Sequence, residues 1–438
     1  MNADRGMSSV TNSVHRMPWF AALAAILFAS CQTSPPEPEP GPTFTQVREI
    51  AVQDLREWEA MGRSVAFDGS RLLAGTYAGQ YNPLGRAFLF EKDEGGTDAW
   101  GEVKRFEPGG AYVFDQLGYA VALEGETAFI GAPQESDVET TVGAVYLFSR
   151  DQGGAGAWGE MKRLTLADGN PSDYFGQALS ADGDTLLVGA PGNSSAVEGG
   201  GAVHIFVRDQ GGPENWGETA KILPSDPRLA ARFGTAVALD GDVAVIGAPK
   251  DGVPGALYGA AYVFSRTGGT QGAWTEVKKL SADDPADWDL FGGTVAVSGD
   301  LIIVGAPGKM NAGGVSKGAA YLFGRDRGGP DNWGLVRKLT AVQGDGFGTA
   351  VSLSAEYALV GAPGARASPT IMGGAVYVFA RDQGGTDTWG LQARLNPAGP
   401  PAYCQFGSSI ALAGNLFAVG GPSWDFSRGA VFIFRIDP

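Results

Sequence analysis

Few side chains in this sequence are suited to acid–base, nucleophilic or phosphate chemistry. The 438 residues contain only two histidines and two cysteines. His204 lies within an apolar run of residues, as a core side chain would. The main body of the chain contains no other histidine on which a Ser–His–Asp arrangement could be built. Cys404 has no second histidine to activate its thiol. Gly308-Lys309 lacks the spacing and the hydroxyl of a phosphate-binding loop. We therefore expect no catalytic residues, no metal ligands and no cofactor.

Carboxylates are the remaining candidates for chemistry, and they are densest in residues 283–289. Asp284 and Asp287 of this stretch could bind a cation or transfer protons. The simpler interpretation, which we favour, is a solvated acidic loop. A carbohydrate-active hydrolase would need two such carboxyl groups within about 5–10 Å of each other.

Composition indicates a compact chain that is rich in glycine. Glycine contributes 68 residues, and apolar residues make up 44% of the sequence, enough for a sizeable core. The formal net charge is −16, which disfavours binding to a phosphate backbone. No nucleic-acid partner is expected.

The N-terminal residues are typical of an export signal. A basic flank precedes an apolar run of about 13 residues, shorter than the ~20 that a membrane span needs. Phe28-Ala29-Ser30-Cys31 resembles a bacterial lipobox, which implies cleavage before Cys31 and lipid attachment to its sulfur; an ordinary signal peptide with an incidental cysteine is the alternative. We expect a lipoprotein signal peptide over residues 1–30 and a Pro/Glu-rich tether over 31–43. The chain would then be exported across the inner membrane and lipid-anchored in the cell envelope, at the outer membrane or cell surface.

The rest of the chain, residues 44–438, repeats itself seven times. The repeats open 56 to 59 residues apart. Their opening pairs are Met61-Gly62, Leu117-Gly118, Phe175-Gly176, Phe233-Gly234, Phe291-Gly292, Phe347-Gly348 and Phe406-Gly407.

Each repeat predicts four antiparallel strands. A small-residue strand, a tight turn such as Asp240-Gly241, and an apolar strand ending in Gly-Ala-Pro come first. A third strand and a Lys/Arg-bearing fourth strand follow. Seven such units predict an all-β, seven-bladed β-propeller. The last repeat lacks its fourth strand, and residues 45–50 match that strand, so we expect the N-terminal strand to close the last blade.

Phe-Gly followed by Gly-Ala-Pro in register resembles the FG-GAP repeat of the integrin α-subunit propeller. The resemblance implies the same propeller and, more loosely, extracellular binding or adhesion. Many members of that family bind Ca²⁺ in the first hairpin. Here Asp182-Gly183-Asp184 offers only two carboxylates where Ca²⁺ prefers 6–8 oxygens, so the calcium loop has no counterpart.

The connections of such a propeller fall on two faces. The loop face carries the connections between strands 2 and 3 and between the fourth strand and the next blade; their sequences differ between repeats. The turn face carries the short, nearly identical 1–2 and 3–4 turns. Because binding residues concentrate in variable loops on rigid scaffolds, we expect the contacts on the loop face. The candidate anchors are Tyr81, Tyr112, Tyr174, Tyr258, Asp284, Asp287, Trp288, Tyr403 and Trp424.

These patterns favour a non-catalytic, monomeric binding or adhesion scaffold in the cell envelope, with a protein partner. A glycan-binding propeller, in which loop aromatics stack on sugar rings, is the alternative. A hydrolase using loop carboxylates is a third hypothesis.

Overall fold

The computed structural model describes residues 41–437 except 77–84, 108–114, 138–139, 254–255, 312, 343–344, 384 and 386–387. Residues Pro42–Pro438 form one compact unit. The predicted signal peptide, Cys31 and nearly all of the tether lie outside the described residues. No helix among those residues is both long and apolar enough to cross a membrane.

Seven four-stranded antiparallel sheets form the blades, numbered 1–7 from the repeat that opens at Met61. The first strands are Ser64–Phe67, Val121–Glu124, Ala178–Asp182, Ala236–Asp240, Thr294–Ser298, Ala350–Leu353 and Ser409–Ala413. The second strands are Arg71–Gly75, Thr127–Ala132, Thr185–Ala190, Val243–Ala248, Leu301–Ala306, Tyr357–Ala362 and Leu416–Gly421. The third strands are Ala87–Lys92, Ala144–Ser149, Ala202–Val207, Ala260–Thr267, Ala319–Gly324, Ala375–Arg381 and Ala430–Asp437. The fourth strands are Trp100–Phe106, Gly159–Leu164, Gly217–Ile222, Ala273–Leu280, Gly334–Leu339, Trp389–Leu395 and, for blade 7, Thr43–Ile50.

Three small elements lie in the 2–3 loops. Two-residue strands pair as Ser136–Asp137 with Thr140–Thr141 and as Gly252–Val253 with Ala256–Leu257. A four-residue helical turn spans Trp424–Ser427.

The ring closes through the N-terminal strand, as the truncated last repeat predicts. Thr43–Ile50 pairs antiparallel with Ala430–Asp437, from Thr43 opposite Asp437 to Ile50 opposite Val431. The first strands of neighbouring blades contact each other all the way round, including blade 7 against blade 1. Closure pairs the backbone N–H and C=O groups of a strand edge that an incomplete blade would expose to other chains.

The paired glycines of each repeat explain the motif physically. A Cβ on Gly247, the glycine of Gly-Ala-Pro in blade 4, would lie 1.9 Å from the carbonyl oxygen of Gly292, the opening glycine of blade 5. The same contact recurs between every pair of neighbouring blades, and Gly420 meets Gly62 at 2.0 Å across the closure. Only glycine allows the backbones to approach this closely.

Aromatic rings fill the space between and within blades. Phe291 of the opening pair packs edge-to-face on Tyr321 and Phe323 of the third strand, with ring centroids 5.3 and 6.2 Å apart. Trp216, which precedes a fourth strand, packs edge-to-face on Phe129 of the preceding blade. The repeat aromatics therefore belong to the scaffold.

The turn face is held by its own carboxylates. Asp182 Oδ2 accepts the backbone N–H of Gly241 in the next blade at 2.6 Å, and Asp240 Oδ2 accepts that of Gly299 at 2.5 Å. These aspartates join neighbouring turns, which agrees with a structural role.

Candidate functional site

The loops that lead into the blades share an unusual backbone. Wherever these positions are described, the residue three before the opening pair's first residue and the residue directly before it have a positive φ. The non-glycine examples are Trp58, Ala60, Gln116, Ser172, Tyr174, Ala230, Arg232, Trp288, Leu290, Tyr403 and Gln405, with φ of 51–73°. L-residues adopt this left-handed conformation only when the surroundings impose it. This conformation leaves the side chain three residues before the opening pair exposed. It buries the residue that lies between the two left-handed positions.

The buried position carries a carboxylate in several loops. Asp289 is 0% exposed; its Oδ2 accepts the Lys309 ammonium at 2.8 Å and the Ala286 N–H at 2.7 Å. Asp173, at the same position of blade 3, accepts the Asn193 amide at 3.0 Å. Lys309 and Asn193 both lie two residues after the proline of Gly-Ala-Pro. The carboxylate thus fastens the incoming loop to the 2–3 loop of its blade.

The acidic stretch 283–289 is therefore not simply the solvated loop that we expected. Asp284 accepts the Lys338 ammonium at 2.6 Å and the Tyr321 hydroxyl at 2.8 Å. Burial opposes ionisation, but these donors and Lys309 hold the pKa of Asp284 at about 2. Five side chains therefore form one ion-pair and hydrogen-bond network: Asp284, Asp289, Lys309, Tyr321 and Lys338.

One pair of loop carboxylates shares the same two donors. Asp226 and the buried Asp251 accept the same Tyr262 hydroxyl at 2.8 and 2.6 Å. Both also accept the Lys279 ammonium, at 2.8 and 3.1 Å. Burial and these carboxylates raise the pKa of Tyr262. The two carboxylates thus share one lysine ammonium within the protein.

Exposed apolar side chains lie mainly on the loop face. Thirteen large apolar residues are exposed in the described part of the chain, and ten of them lie in loop-face connections. These ten are Trp58, Leu229, Val253, Tyr258, Trp288, Met310, Val315, Val342, Tyr403 and Phe426. Val47, Val277 and Leu391 lie on outer fourth strands, and the described 1–2 and 3–4 turns carry none. This one-sided distribution distinguishes the loop face from the turn face.

A concavity on this face lies where the ring closes. This seam cleft has a volume of about 910 Å³ and lies between residues 49–58, 401–405 and 423–429. Its aromatic lining consists of Trp58, Tyr403, Trp424 and Phe426. Three of these are well exposed: Trp58 by 54%, Tyr403 by 65% and Phe426 by 74%.

A short loop leaves the seam cleft open. The 2–3 loop of blade 7, residues 423–428, has six residues, whereas the corresponding loops of blades 2–6 have nine or ten. It still binds the incoming segment, since Ala60 and Met61 donate to the carbonyls of Ser427 and Arg428 at 2.8 and 2.9 Å. Trp424 packs edge-to-face on Phe432 with centroids 4.8 Å apart. The shortened loop covers less of its neighbours.

The predicted anchors divide into two groups and several separate positions. Tyr403 and Trp424 both line the seam cleft. Asp287 and Trp288 lie beside Tyr258, because Leu257 donates to Asp287 Oδ1 at 2.7 Å and accepts the Trp288 N–H at 2.9 Å.

The other candidates are not in these groups. Asp284 belongs to the lysine network, and Tyr174 is half-buried at its own loop, 3.0 Å from a Cβ built on Gly192. Tyr81 and Tyr112 lie outside the described residues.

The sequence analysis missed Trp58 and Phe426. Trp58 precedes Met61 by three residues, the same offset that separates Trp288 from Phe291. This shared offset of three residues is the sequence signal that could have identified Trp58 as a candidate. Phe426 lies in a loop that the sequence comparison marked as variable, but nothing in its pattern distinguished it from a core residue.

Other sequence candidates serve the scaffold. His204 is buried, packs edge-to-face on Phe175 and has its Nδ1 2.7 Å from Glu218 Oε1. The buried Cys404 thiol donates to the Gly373 carbonyl at 2.8 Å, and burial raises its pKa. No group of three or more His, Cys, Asp or Glu residues in the described part of the chain is placed to hold a metal ion.

Comparison with known proteins identifies the family. The FG-GAP repeat family matches residues 100–148, 158–206, 216–264, 274–323 and 333–379, more than half of the chain. The chain belongs to the FG-GAP repeat family. Each match begins at the start of a fourth strand and ends in the third strand of the following blade. The glycine contacts extend the same geometry to the blades that these matches do not cover.

Relatives support the propeller and, in general terms, a binding scaffold. Integrin alpha-3 of Cricetulus griseus is 27% identical over 231 residues, which cover 48% of this chain but only 20% of the integrin. The chain thus matches about a fifth of that relative's length. Among solved structures, a periplasmic gluconolactonase of Pseudomonas aeruginosa is similar, with a TM-score of 0.51, 14% identity, and coverage of 77% of this chain and 86% of the other. At that identity the likeness shows the fold alone.

Proposed function

We propose that the propeller is a non-catalytic binding module of the cell envelope that holds a protein partner on its loop face. The observation that carries this proposal is the one-sided distribution of exposed apolar residues, ten of thirteen on that face. The turn face is occupied by its own cross-blade hydrogen bonds. Aromatic residues such as Trp288 are typical anchors of protein interfaces.

The first strand of the chain starts on the turn face, away from the proposed contact surface. The fourth strand of blade 7 begins at Thr43, opposite Asp437, on the turn face. A lipid on Cys31 would therefore be joined to the propeller through the strand end on the turn face, which leaves the loop face free of the chain that leads to the anchor. An extended tether over residues 31–43 would span roughly 40 Å at about 3.1 Å per residue.

The anchor is tested by Cys31→Ser. Membrane fractionation should move the chain from the membrane to the soluble fraction. Unchanged fractionation would contradict lipid anchoring while leaving the binding face untested by this variant, so a second experiment addresses the face.

Site-specific photocrosslinking tests the contact surface in the native cell envelope. p-Benzoyl-phenylalanine is placed at Trp288 on the loop face and, as a matched control, at Asp209 in a 3–4 turn on the turn face. Both residues have a positive φ and lie in exposed connections. We expect a discrete protein adduct from the Trp288 position only. Adducts from the turn face alone would refute the proposal.

A further inference from the structure

We propose that the seam cleft is a saccharide-binding site that takes a neutral or amino-sugar oligosaccharide. The inference rests on the proposed function only in that the cleft opens on the loop face. It assigns this cleft a ligand class that differs from the protein partner proposed for the face.

Size and shape fit a small ligand rather than a flat protein contact. About 910 Å³ lies within the ~300–1,000 Å³ usual for ligand clefts. Three separate chain segments contribute aromatic rings: Trp58 from the N-terminal segment, Tyr403 from the loop entering blade 7, and Trp424 with Phe426 from its 2–3 loop. Rings from different segments can contact a ligand from more than one side.

The lining combines these rings with planar hydrogen-bonding groups. Glu49, Gln53 and Gln405 line the same cleft as the aromatic residues. A pyranose has an apolar C–H face, which packs on an aromatic ring, and a rim of hydroxyls, which pair with carboxylates and amides. A purely apolar ligand would leave those polar groups without water or a partner, at a free-energy cost.

Charge selects against acidic sugars. Arg428 is the cation of the cleft lining, and it donates to Asp425 Oδ2 at 2.9 Å and to the Leu55 carbonyl at 3.2 Å. The Asp425 carboxylate therefore offsets the charge of its guanidinium. Glu49 adds a carboxylate, and the whole chain carries a formal charge of −16. Neutral or amino-substituted sugars match this potential.

The backbone holds the aromatic residues in place. Trp58 and Tyr403 have φ of 73° and 63°, the conformation that the loops into the blades share. Asp425, Phe426 and Ser427 follow one another with φ of 43°, 55° and 64°. Three consecutive left-handed non-glycine residues are costly and are typical of ligand-contacting loops.

The test applies the full chain, purified in mild detergent, to a printed glycan array of neutral, amino-substituted and acidic oligosaccharides. Titration calorimetry with the strongest neutral or amino-sugar hit then compares Trp58→Ala and Tyr403→Ala with Trp288→Ala. Trp288 is the matched control, because it occupies the same left-handed position, is 53% exposed and lies outside the cleft. Each cleft variant should weaken binding about tenfold or more, and the control should not.

Tyr403 and Phe426 are mostly exposed, so Phe426→Ser provides a second variant if Trp58→Ala fails to fold. Absence of saturable binding by the wild-type chain would overturn the proposal. Preference for acidic glycans, or equal loss in Trp288→Ala, would overturn it as well. A protein adduct at Trp288 would survive any of these outcomes, so this inference and the proposed function fail separately.

Discussion

Replacing Lys309 by Met should strongly destabilise the propeller. The substitution removes the ammonium that lies 2.8 Å from Asp289 Oδ2 and also contacts the carbonyl and carboxylate of Asp284. Asp289 is 0% exposed, and its Oδ1 has no hydrogen-bond partner among the described residues. The carboxylate would retain the Ala286 N–H but no cation. Breaking a buried pair in this way costs about 3–5 kcal/mol.

Urea unfolding of the full chain in mild detergent, followed by tryptophan fluorescence, measures this loss as a lower midpoint at unchanged slope. Lys221→Met is the matched control, because its partner Asp168 is 72% exposed in the side chain and such pairs contribute about 0.2–1 kcal/mol. The double variant Lys309→Met/Asp289→Asn removes the unpaired charge and keeps an acceptor for Ala286. It should recover more than half of the loss. A single variant within about 1 kcal/mol of wild type, or a double variant equally unstable, would refute the reasoning.

Two further predictions concern the blade contacts and the acidic loop. Gly247→Ala should destabilise the chain by about 3 kcal/mol or more, because the new Cβ would overlap the Gly292 carbonyl oxygen at 1.9 Å. Gly241→Ala is the control, since no atom lies within 4 Å of its Cβ, and it should cost only about 1 kcal/mol because of the positive φ at this position. Thermal melts of the two variants check this, and equal losses would show that the contact is not close-packed. Asp284→Asn should cost about 1 kcal/mol at pH 7 after discounting for a half-exposed side chain. Since the pKa of Asp284 is lowered to about 2 in the folded state, that stabilisation is present above about pH 4 and is lost as the pH falls toward 2. Unfolding curves of wild type and variant should therefore converge at pH 2, and a constant gap would contradict the assignment.

The propeller could be predicted because its constraints recur at each blade. The Gly247 contact is repeated seven times, so the motif repeats with it. Closure could be predicted because a fourth strand missing at one end, after Ala430–Asp437, matches a strand present at the other. In both cases one segment of the chain can be compared with another segment of the same chain.

The side-chain contacts of the loop carboxylates were harder to predict from the sequence. Asp289 was taken as part of a solvated loop because its partner, Lys309, is 20 residues away in a different connection. Comparing repeats would have helped, since Asp173 and Asn193 occupy the same two positions. Composition alone does not reveal a buried pair.

The seam cleft depends on segments about 350 residues apart in the chain. Trp58 lines the same cleft as Tyr403 because the N-terminal strand closes blade 7. The repeat pattern predicts that strand but not where the residues after it lie. Tyr403 and Trp424 lie in loop-face connections, as the sequence predicts, but nothing local in the sequence indicates that they line the same cleft.

Hydroxyl-radical footprinting on intact cells, compared with the purified full chain, tests the central claim that the loop face is the covered surface. Oxidation of Trp58, Trp288 and Tyr403 is read by mass spectrometry, with the exposed outer-strand residues Val277 and Leu391 as internal controls. We expect the three loop-face aromatics to be protected in cells and the controls to be oxidised equally in both samples. Equal oxidation of the loop-face aromatics in cells and in the purified chain would contradict the account.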